Sequence, residues 1–242
     1  MKVKLTVVGC SPAWPNPGGA QSGYLLEGSE RLLLDCGAGV LARLREREPW
    51  PRVDAIAITH FHLDHYGDLV PWVWGALFGP GHELDRPQVW LPPGGTEMLE
   101  HLGTHFGRED MFAKAFDLRE YADGEPFSAA GFEVTPVRML HYDLVTFGFR
   151  VAKNGTVVAY TGDSGPCPAL AELARDADLM ICEATLLAAK EGGGTRGHLS
   201  AEEAVAAFHE SGATRLLLTH RPDELPLDPG LERAHDGLEL VL

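Results

Sequence analysis

The sequence predicts an α/β fold in which two β-sheets pack face to face with helices on the outside. Strand-like apolar runs joined by short turns occur in both halves of the chain, notably at Gly28-Ser29 and at Asn154-Gly155. Segments with helical periodicity separate the remaining strand-like runs. No linker, charge block or low-complexity tract interrupts residues 1–242, which therefore read as a single domain.

Taken in order, strands are expected at 2–9, 23–27 and 30–35. Residues 40–48 follow a helical pattern with Leu41 and Leu44 inward and Arg43, Arg45 and Arg47 on a solvated face. The apolar run Val53-Asp-Ala-Ile-Ala-Ile-Thr59 reads as a strand. Leu69 to Phe78 reads as a buried helix, with Pro71 accommodated in its first turn. A strand at 88–91 and a helix at 95–106 follow. The second half gives strands at 116–120, 132–139, 145–152 and 156–161, helix 168–176, strand 178–183, helix 200–211 and strand 214–219. Ser200 and Glu203 are spaced as a capping box for the last helix.

Composition narrows the class of protein. A hydrophobic content of 45% supports a sizeable core, while a formal charge of −15 argues against a broad nucleic-acid footprint, which needs clustered Lys and Arg. The N-terminal run Met1 to Gly9 reads as a strand and not as a secretory signal. No apolar stretch approaches the roughly 20 residues that cross a bilayer. Cys10, Cys36, Cys167 and Cys182 are scattered without metal-type spacing, which predicts free thiols and a cytoplasmic location. The only amides are Asn16, Asn154, Gln21 and Gln88, a depletion that hints at a thermophile.

Directly after the run ending at Thr59 comes His-Phe-His-Leu-Asp-His at 60–65. Alternate side chains of an extended segment share a face, so His60 and His62 can converge on one ion. Asp64 and His65 follow as the chain turns and can serve a second ion beside it. A nitrogen-rich donor set favours Zn²⁺ over Mg²⁺ or Ca²⁺. Further ligands are then expected at other strand ends. His141 ends the run Glu133 to Leu140, Asp163 ends Val157 to Gly162, and His220 ends Arg215 to Thr219.

With these residues the chain resembles the metallo-β-lactamase superfamily, specifically its ribonuclease Z-like phosphodiesterase branch. Leu33-Leu-Asp-Cys-Gly37 looks like the family's first motif, residues 60–65 like its H-x-H-x-D-H signature, and His141, Thr161-Gly-Asp163 and Thr219-His220 like the later ligand motifs. The resemblance implies a four-layer αββα sandwich of two mixed sheets with the site at one edge. It implies two metal ions per chain, Zn²⁺ with Mn²⁺ or Fe²⁺ as alternatives. His60, His62 and His141 would hold one, Asp64, His65 and His220 the other, and Asp163 would bridge them. Ile181-Cys-Glu-Ala-Thr185 and Gly197-His-Leu-Ser200 resemble two further motifs of the branch, which bring Glu183 and His198 beside the metals as a dyad. Catalytic roles are thereby expected for Asp64, Glu183 and His198. Asp35 is expected to orient ligands without binding metal itself.

The expected reaction is attack on phosphorus by a metal-bridging hydroxide, two zinc ions lowering the pKa of a shared water from about 15.7 toward 7. His198, kept protonated by Glu183, would supply the leaving group's proton. Two departures from ribonuclease Z set the substrate. That family's long tRNA-gripping arm lies between the ligands matched here by His141 and Asp163, where only 21 residues stand. Its basic N-terminal loop is replaced by Cys10-Ser-Pro-Ala-Trp-Pro-Asn-Pro-Gly-Gly19, without Lys or Arg. A small phosphodiester or cyclic nucleotide phosphate is expected in place of tRNA, with no membrane partner and, by analogy, a homodimer. Competing readings are a carboxylic-ester, thioester or lactone hydrolase, a tRNA 3′ endonuclease, and a metal-binding protein without catalysis. A redox di-iron protein is disfavoured, since that branch puts Glu where His62 stands.

Residues 10–22 and Gly192-Gly-Gly194 are expected to line or cover the site. Trp14 has no assigned role; Arg196 and Arg221 are candidate phosphate partners, exposed loop arginines being the default. His101 and His105 have metal-compatible helical spacing without a third partner. His82, His209 and His235 have no partners in the pattern.

Overall fold

Alternation along the strands decides which residues face which layer, and the computed structural model, which describes residues 2–189 and 196–242, shows the outcome strand by strand. In β1 (Lys4–Gly9), Leu5 and Val7 enter one core while Val8 enters another. In β3 (Arg31–Leu34), Leu32 and Leu34 face the first core and Leu33 the second, and β4 (Ala55–Ala57) divides Ala55 and Ala57 from Ile56 in the same way. Successive side chains point to opposite faces, so strands covered on both sides read as unbroken apolar runs.

One sheet has seven strands. β2 (Gly23–Glu27) pairs antiparallel with β1 and β3, and β4, β5 (Gln88–Leu91) and β6 (Asp117–Glu120) continue parallel from β3. The other sheet has six: β7 (Phe127–Ala129), β8 (Phe132–Arg138), β9 (Phe147–Lys153), β10 (Thr156–Tyr160), β11 (Leu179–Glu183) and β12 (Leu216–Thr219), in that spatial order. The last strand, β13 (Glu239–Val241), returns to pair antiparallel with β1. Between the sheets lies one core containing Tyr24, Phe132, Phe149 and Tyr160. A second core packs α1 (Val40–Arg45), α3 (Leu69–Phe78), α4 (Gly95–His105) and α5 (Met111–Ala115) on the first sheet. A third packs α6 (Ala169–Leu173) and α7 (Ala201–Ser211) on the second. The expected αββα sandwich of two mixed sheets is the architecture found.

Local signals hold where they were strongest. Asn154 and Gly155 both have positive φ, 53° and 84°, as a two-residue turn between β9 and β10 requires. Ser200 and Glu203 form the capping box of α7. Several elements were not anticipated: the one-turn helix α2 (Leu63–Tyr66), α5, β7 and β13 are each five residues or shorter, too brief for a period to register. α1 ends at Arg45, three residues before the expected end. The expected buried helix α3 buries Leu69, Trp72 and Val73 but exposes Trp74 and Phe78, because it lies on one face of the sheet and not inside it. Among the described residues no helix is long and apolar enough to cross a membrane.

The strands that precede the predicted ligands are parallel within their sheets. β10, β11 and β12 run together, and β8, two antiparallel steps from β10, shares their direction. Their carboxyl ends, with those of β3 and β4, meet at one edge of the sandwich. There the segments before β2 and after β3 lock onto α2: Ser22 donates its N–H to the Asp64 carbonyl at 3.1 Å, and Cys36 donates to the His65 carbonyl at 2.6 Å. Gly37 sits so close that a Cβ on it would fall 2.0 Å from the Asp64 carbonyl oxygen. Both partners in that clash are backbone, so no rotamer change relieves it. Gly37→Ala is therefore expected to destabilise the fold by about 1–3 kcal/mol, read as a lower urea midpoint; an unchanged midpoint would show that the α2 backbone yields without cost.

Candidate metal centre

Six histidines and three carboxylates that are distant in sequence converge at this edge. His60, His62, His141 and Asp163 offer ligand atoms within 4.8 Å of one another, and so do Asp64, His65, Asp163 and His220. Asp163 belongs to both groups and divides its oxygens between them. Its Oδ2 lies 3.9 Å from His60 Nε2 and 3.8 Å from His141 Nε2, while Oδ1 lies 3.3 Å from His65 Nε2 and 3.5 Å from His220 Nε2. Asp64 Oδ2 completes the second group, 3.0 Å from His220 Nε2 and 3.4 Å from His65 Nε2.

The outer nitrogens of these rings are tethered. His65 Nδ1–H donates to Asp35 Oδ2 at 2.7 Å, and His141 Nδ1–H donates to the Gly197 carbonyl at 2.6 Å. The Thr59 hydroxyl donates to Asp35 and so accepts from His60 Nδ1–H at 3.1 Å. The Thr185 hydroxyl, which donates to Glu183, accepts a hydrogen bond from His220 Nδ1–H at 2.9 Å. With Nδ1–H engaged in this way, four rings turn Nε2 inward, the atom that binds metal once it carries no proton. His62 differs, since its Nδ1 is the inward atom, 3.0 Å from His141 Nε2. Its backbone is still extended, at φ −84° and ψ 142°, as the residue immediately before α2.

This donor set fits divalent metal. Among the described residues, His60 Nε2, His65 Nε2 and Asp163 Oδ1 are buried without a hydrogen-bond partner. Buried polar atoms are seldom left so, and three orphans facing one another are accounted for by a cation. Burial holds His60 well below the ordinary imidazole pKa, and burial likewise lowers His62 and His141, keeping them neutral as ligands must be. Burial disfavours the His65 cation, but Asp163 and Asp35 outweigh it and raise that ring well above the ordinary imidazole value, so a metal there displaces the proton on Nε2. Burial opposes the charge on Asp163, but His220 and His65 outweigh it and hold the carboxyl well below its usual range.

Beside the cluster, Glu183 ends β11 and accepts from His198 Nδ1–H at 2.9 Å. The same carboxylate receives the Ser164 and Thr185 backbone N–H groups at 3.1 and 3.0 Å, and the Thr185 hydroxyl at 3.0 Å. It is fully buried and has no freedom to turn. Burial works against the charged form of His198, but Glu183 overcomes it and raises the ring to a pKa of about 9. His198 Nδ1 lies 3.9 Å from Asp163 Oδ2, so the pair borders the cluster directly.

All nine expected site residues thus stand together, and Asp35 takes the orienting position assigned to it. Thr59 and Thr185 were not singled out, although each sits within or against a recognised motif; their hydroxyls matter only through partners that folding supplies. Tyr160 also donates to Asp35 Oδ2, at 2.7 Å from the neighbouring sheet. Two expectations need correction. Arg221 is buried, with its guanidinium on the carbonyls of Ala184, Leu186 and Pro226, so it braces backbone and is not an exposed phosphate partner. Arg196 is committed to Glu203, extending the capping box. Residues 10–22 do adjoin the site, through Ser22 on Asp64 and the Cys10 carbonyl, which accepts the His220 N–H at 3.0 Å. Trp14 is exposed, as are His82, His101, His105, His209 and His235. Gly192-Gly-Gly194 lies outside the described residues.

Comparison with known proteins identifies the family and the fold. Residues 30–221 match the family model described as a beta-lactamase superfamily domain. The probable metallo-hydrolase YhfI of Bacillus subtilis is 31% identical over 226 residues, covering 91% of this chain and 87% of YhfI. The crystal structure of YhfI superposes with a TM-score of 0.85 at 26% identity over the full length of both chains. The ribonuclease Z of Myxococcus xanthus is 28% identical over 278 residues, covering 94% of this chain and 89% of that protein. The short form of human tRNase Z superposes with a TM-score of 0.76 at 25% identity, covering 98% of each chain. By its family match and its fold, the chain belongs to the metallo-β-lactamase superfamily, among its ribonuclease Z-like members.

Proposed function

We propose that this protein is a binuclear zinc-dependent phosphodiesterase acting on a small phosphodiester or cyclic nucleotide phosphate. The observation that carries this reading is the Glu183–His198 pair set against Asp163. The metal ligands alone would serve a carboxylic ester equally well. A phosphodiester and a carboxylic ester both release an alkoxide that an acid beside the cluster can protonate, so what favours the phosphodiester is that Glu183 and His198 stand in motifs resembling those of the ribonuclease Z-like branch.

His60, His62 and His141 would hold one ion and Asp64, His65 and His220 the other, with Asp163 offering an oxygen to each group. The chemistry such ions supply when bound is activation of a water at neutral pH and neutralisation of charge on phosphoryl oxygens. The residues around them do the rest. With Nδ1–H committed to Glu183, His198 has Nε2 left to deliver a proton to the departing oxygen. Glu183 fixes the ring's orientation and favours its cationic form. Thr185 couples the two halves of the site, since its hydroxyl contacts both Glu183 Oε2 and His220 Nδ1.

A small substrate is supported by the interval between His141 and Asp163, which is occupied by the β9–β10 hairpin with its two-residue turn. The net charge of −15 also disfavours a polyanion the size of tRNA. Free thiols at all four cysteines fit work in the cytoplasm.

Purified protein is expected to carry two equivalents of zinc by elemental analysis and to lose activity on chelation. It should hydrolyse bis-p-nitrophenyl phosphate well ahead of an aryl carboxylic ester or a lactone; the reverse preference would replace this reading with the ester hydrolase. His198→Ala is expected to lower kcat on the order of 100- to 10,000-fold with zinc content intact, and normal turnover in that variant would remove His198 from the mechanism.

A further inference from the structure

Immediately after the ligand His141, Tyr142 occupies the left-handed region at φ 50°, where a bulky side chain is strained. It is also 49% exposed, so burial does not offset that strain. The ring is nonetheless held in place. A Cβ at Gly197 would fall 2.3–2.6 Å from three of its ring carbons, so the ring packs directly on the Gly197 backbone. It meets His198 edge-on, with centroids 5.8 Å apart at 80°, and lies 4.9 Å from the His141 ring. Leu144 and Val145, on the same turn, are exposed as well. The turn itself is fixed: Leu144 N–H donates to the His141 carbonyl at 3.0 Å, and Arg138 donates to the Leu144 carbonyl at 2.9 Å.

We infer that Tyr142 is a specificity-determining residue, the stacking wall for a planar ring carried by the substrate, which makes the substrate class a nucleoside phosphodiester. The inference rests on the phosphodiesterase reading and adds the recognition of the ester's organic part. The ring borders both His141 and His198, so it stands at the rim of the cluster, within reach of the alcohol that the proposed proton donor His198 would release. An aromatic platform gives affinity for any nucleobase, because every base has a π-face. Packing on Gly197 keeps the platform rigid, which limits the entropy lost on binding.

The test is calorimetric binding of adenosine 5′-monophosphate and of ribose 5-phosphate to the zinc-loaded protein, two ligands that differ only in the base. Wild type should prefer the nucleotide. Tyr142→Ala should weaken nucleotide binding about tenfold while shifting ribose 5-phosphate less than about twofold, and Tyr142→Phe should restore the preference. Equal weakening of both ligands by Tyr142→Ala would reduce Tyr142 to a structural clamp on Gly197, and no preference in wild type would overturn the inference. Binding that favours the nucleotide without phosphodiester turnover would leave the stacking wall standing and sink the phosphodiesterase reading instead. Binding of neither ligand would sink both.

Discussion

A buried carboxylate with one oxygen turned toward each of two imidazole groups is the constraint on which this molecule is built. Asp163 is 1% exposed, and a charge so far from water is tolerated only among compensating partners. The fold supplies them from three strand ends, and each partner is itself held by a group behind it. His65 leans on Asp35, His60 on Thr59, His220 on Thr185 and His141 on the Gly197 carbonyl. Two of these supports converge again, since Asp35 receives Thr59, His65 and Tyr160 together. The site is thus a two-tier arrangement in which the inner atoms are free for a cation because the outer ones are already engaged.

Geometry on this scale needs rigid supports, and the sandwich provides them. Toward their ligand-bearing ends β4, β10 and β12 are buried on both faces, so those ends cannot drift without disturbing two cores at once. Close backbone contacts finish the assembly: Gly37 lies against the Asp64 carbonyl, and Phe147 donates its N–H to the Thr59 carbonyl at 3.2 Å across the two sheets. Left-handed backbone at Asp35, Tyr142 and His220 marks where the chain must turn sharply from strand into site. Strain of this kind persists only where surrounding structure determines it.

The Glu183–His198 pair shows how one scaffold separates two kinds of imidazole. His60, His62 and His141 are pushed toward the neutral form by burial, whereas His198, beside a carboxylate that accepts its Nδ1–H, is pushed toward the cation. Ring neighbours only 4.9 Å apart, His141 and His198, are thereby set to opposite tasks. Burial and the identity of the partner decide the difference; the side chains are the same.

The chain by itself determined much of this. Residues 60–65 declared a metal centre because four donors in six positions at a strand end have few other uses, and His141, Asp163 and His220 each followed an apolar run whose end had to reach the sheet edge. Long strands and the capping box at Ser200 and Glu203 were legible for the same reason: period and spacing are local properties. Only the tertiary structure decided which oxygen of Asp163 faces which group, that His62 turns Nδ1 inward, and that Thr59 and Thr185 set the protonation of their neighbours. It alone buried Arg221 among carbonyls and laid Tyr142 across Gly197, 55 residues further along the chain. Hydrogen-bond partners of that kind come from segments far apart in sequence, and a side chain's protonation and direction are set by the partner it meets.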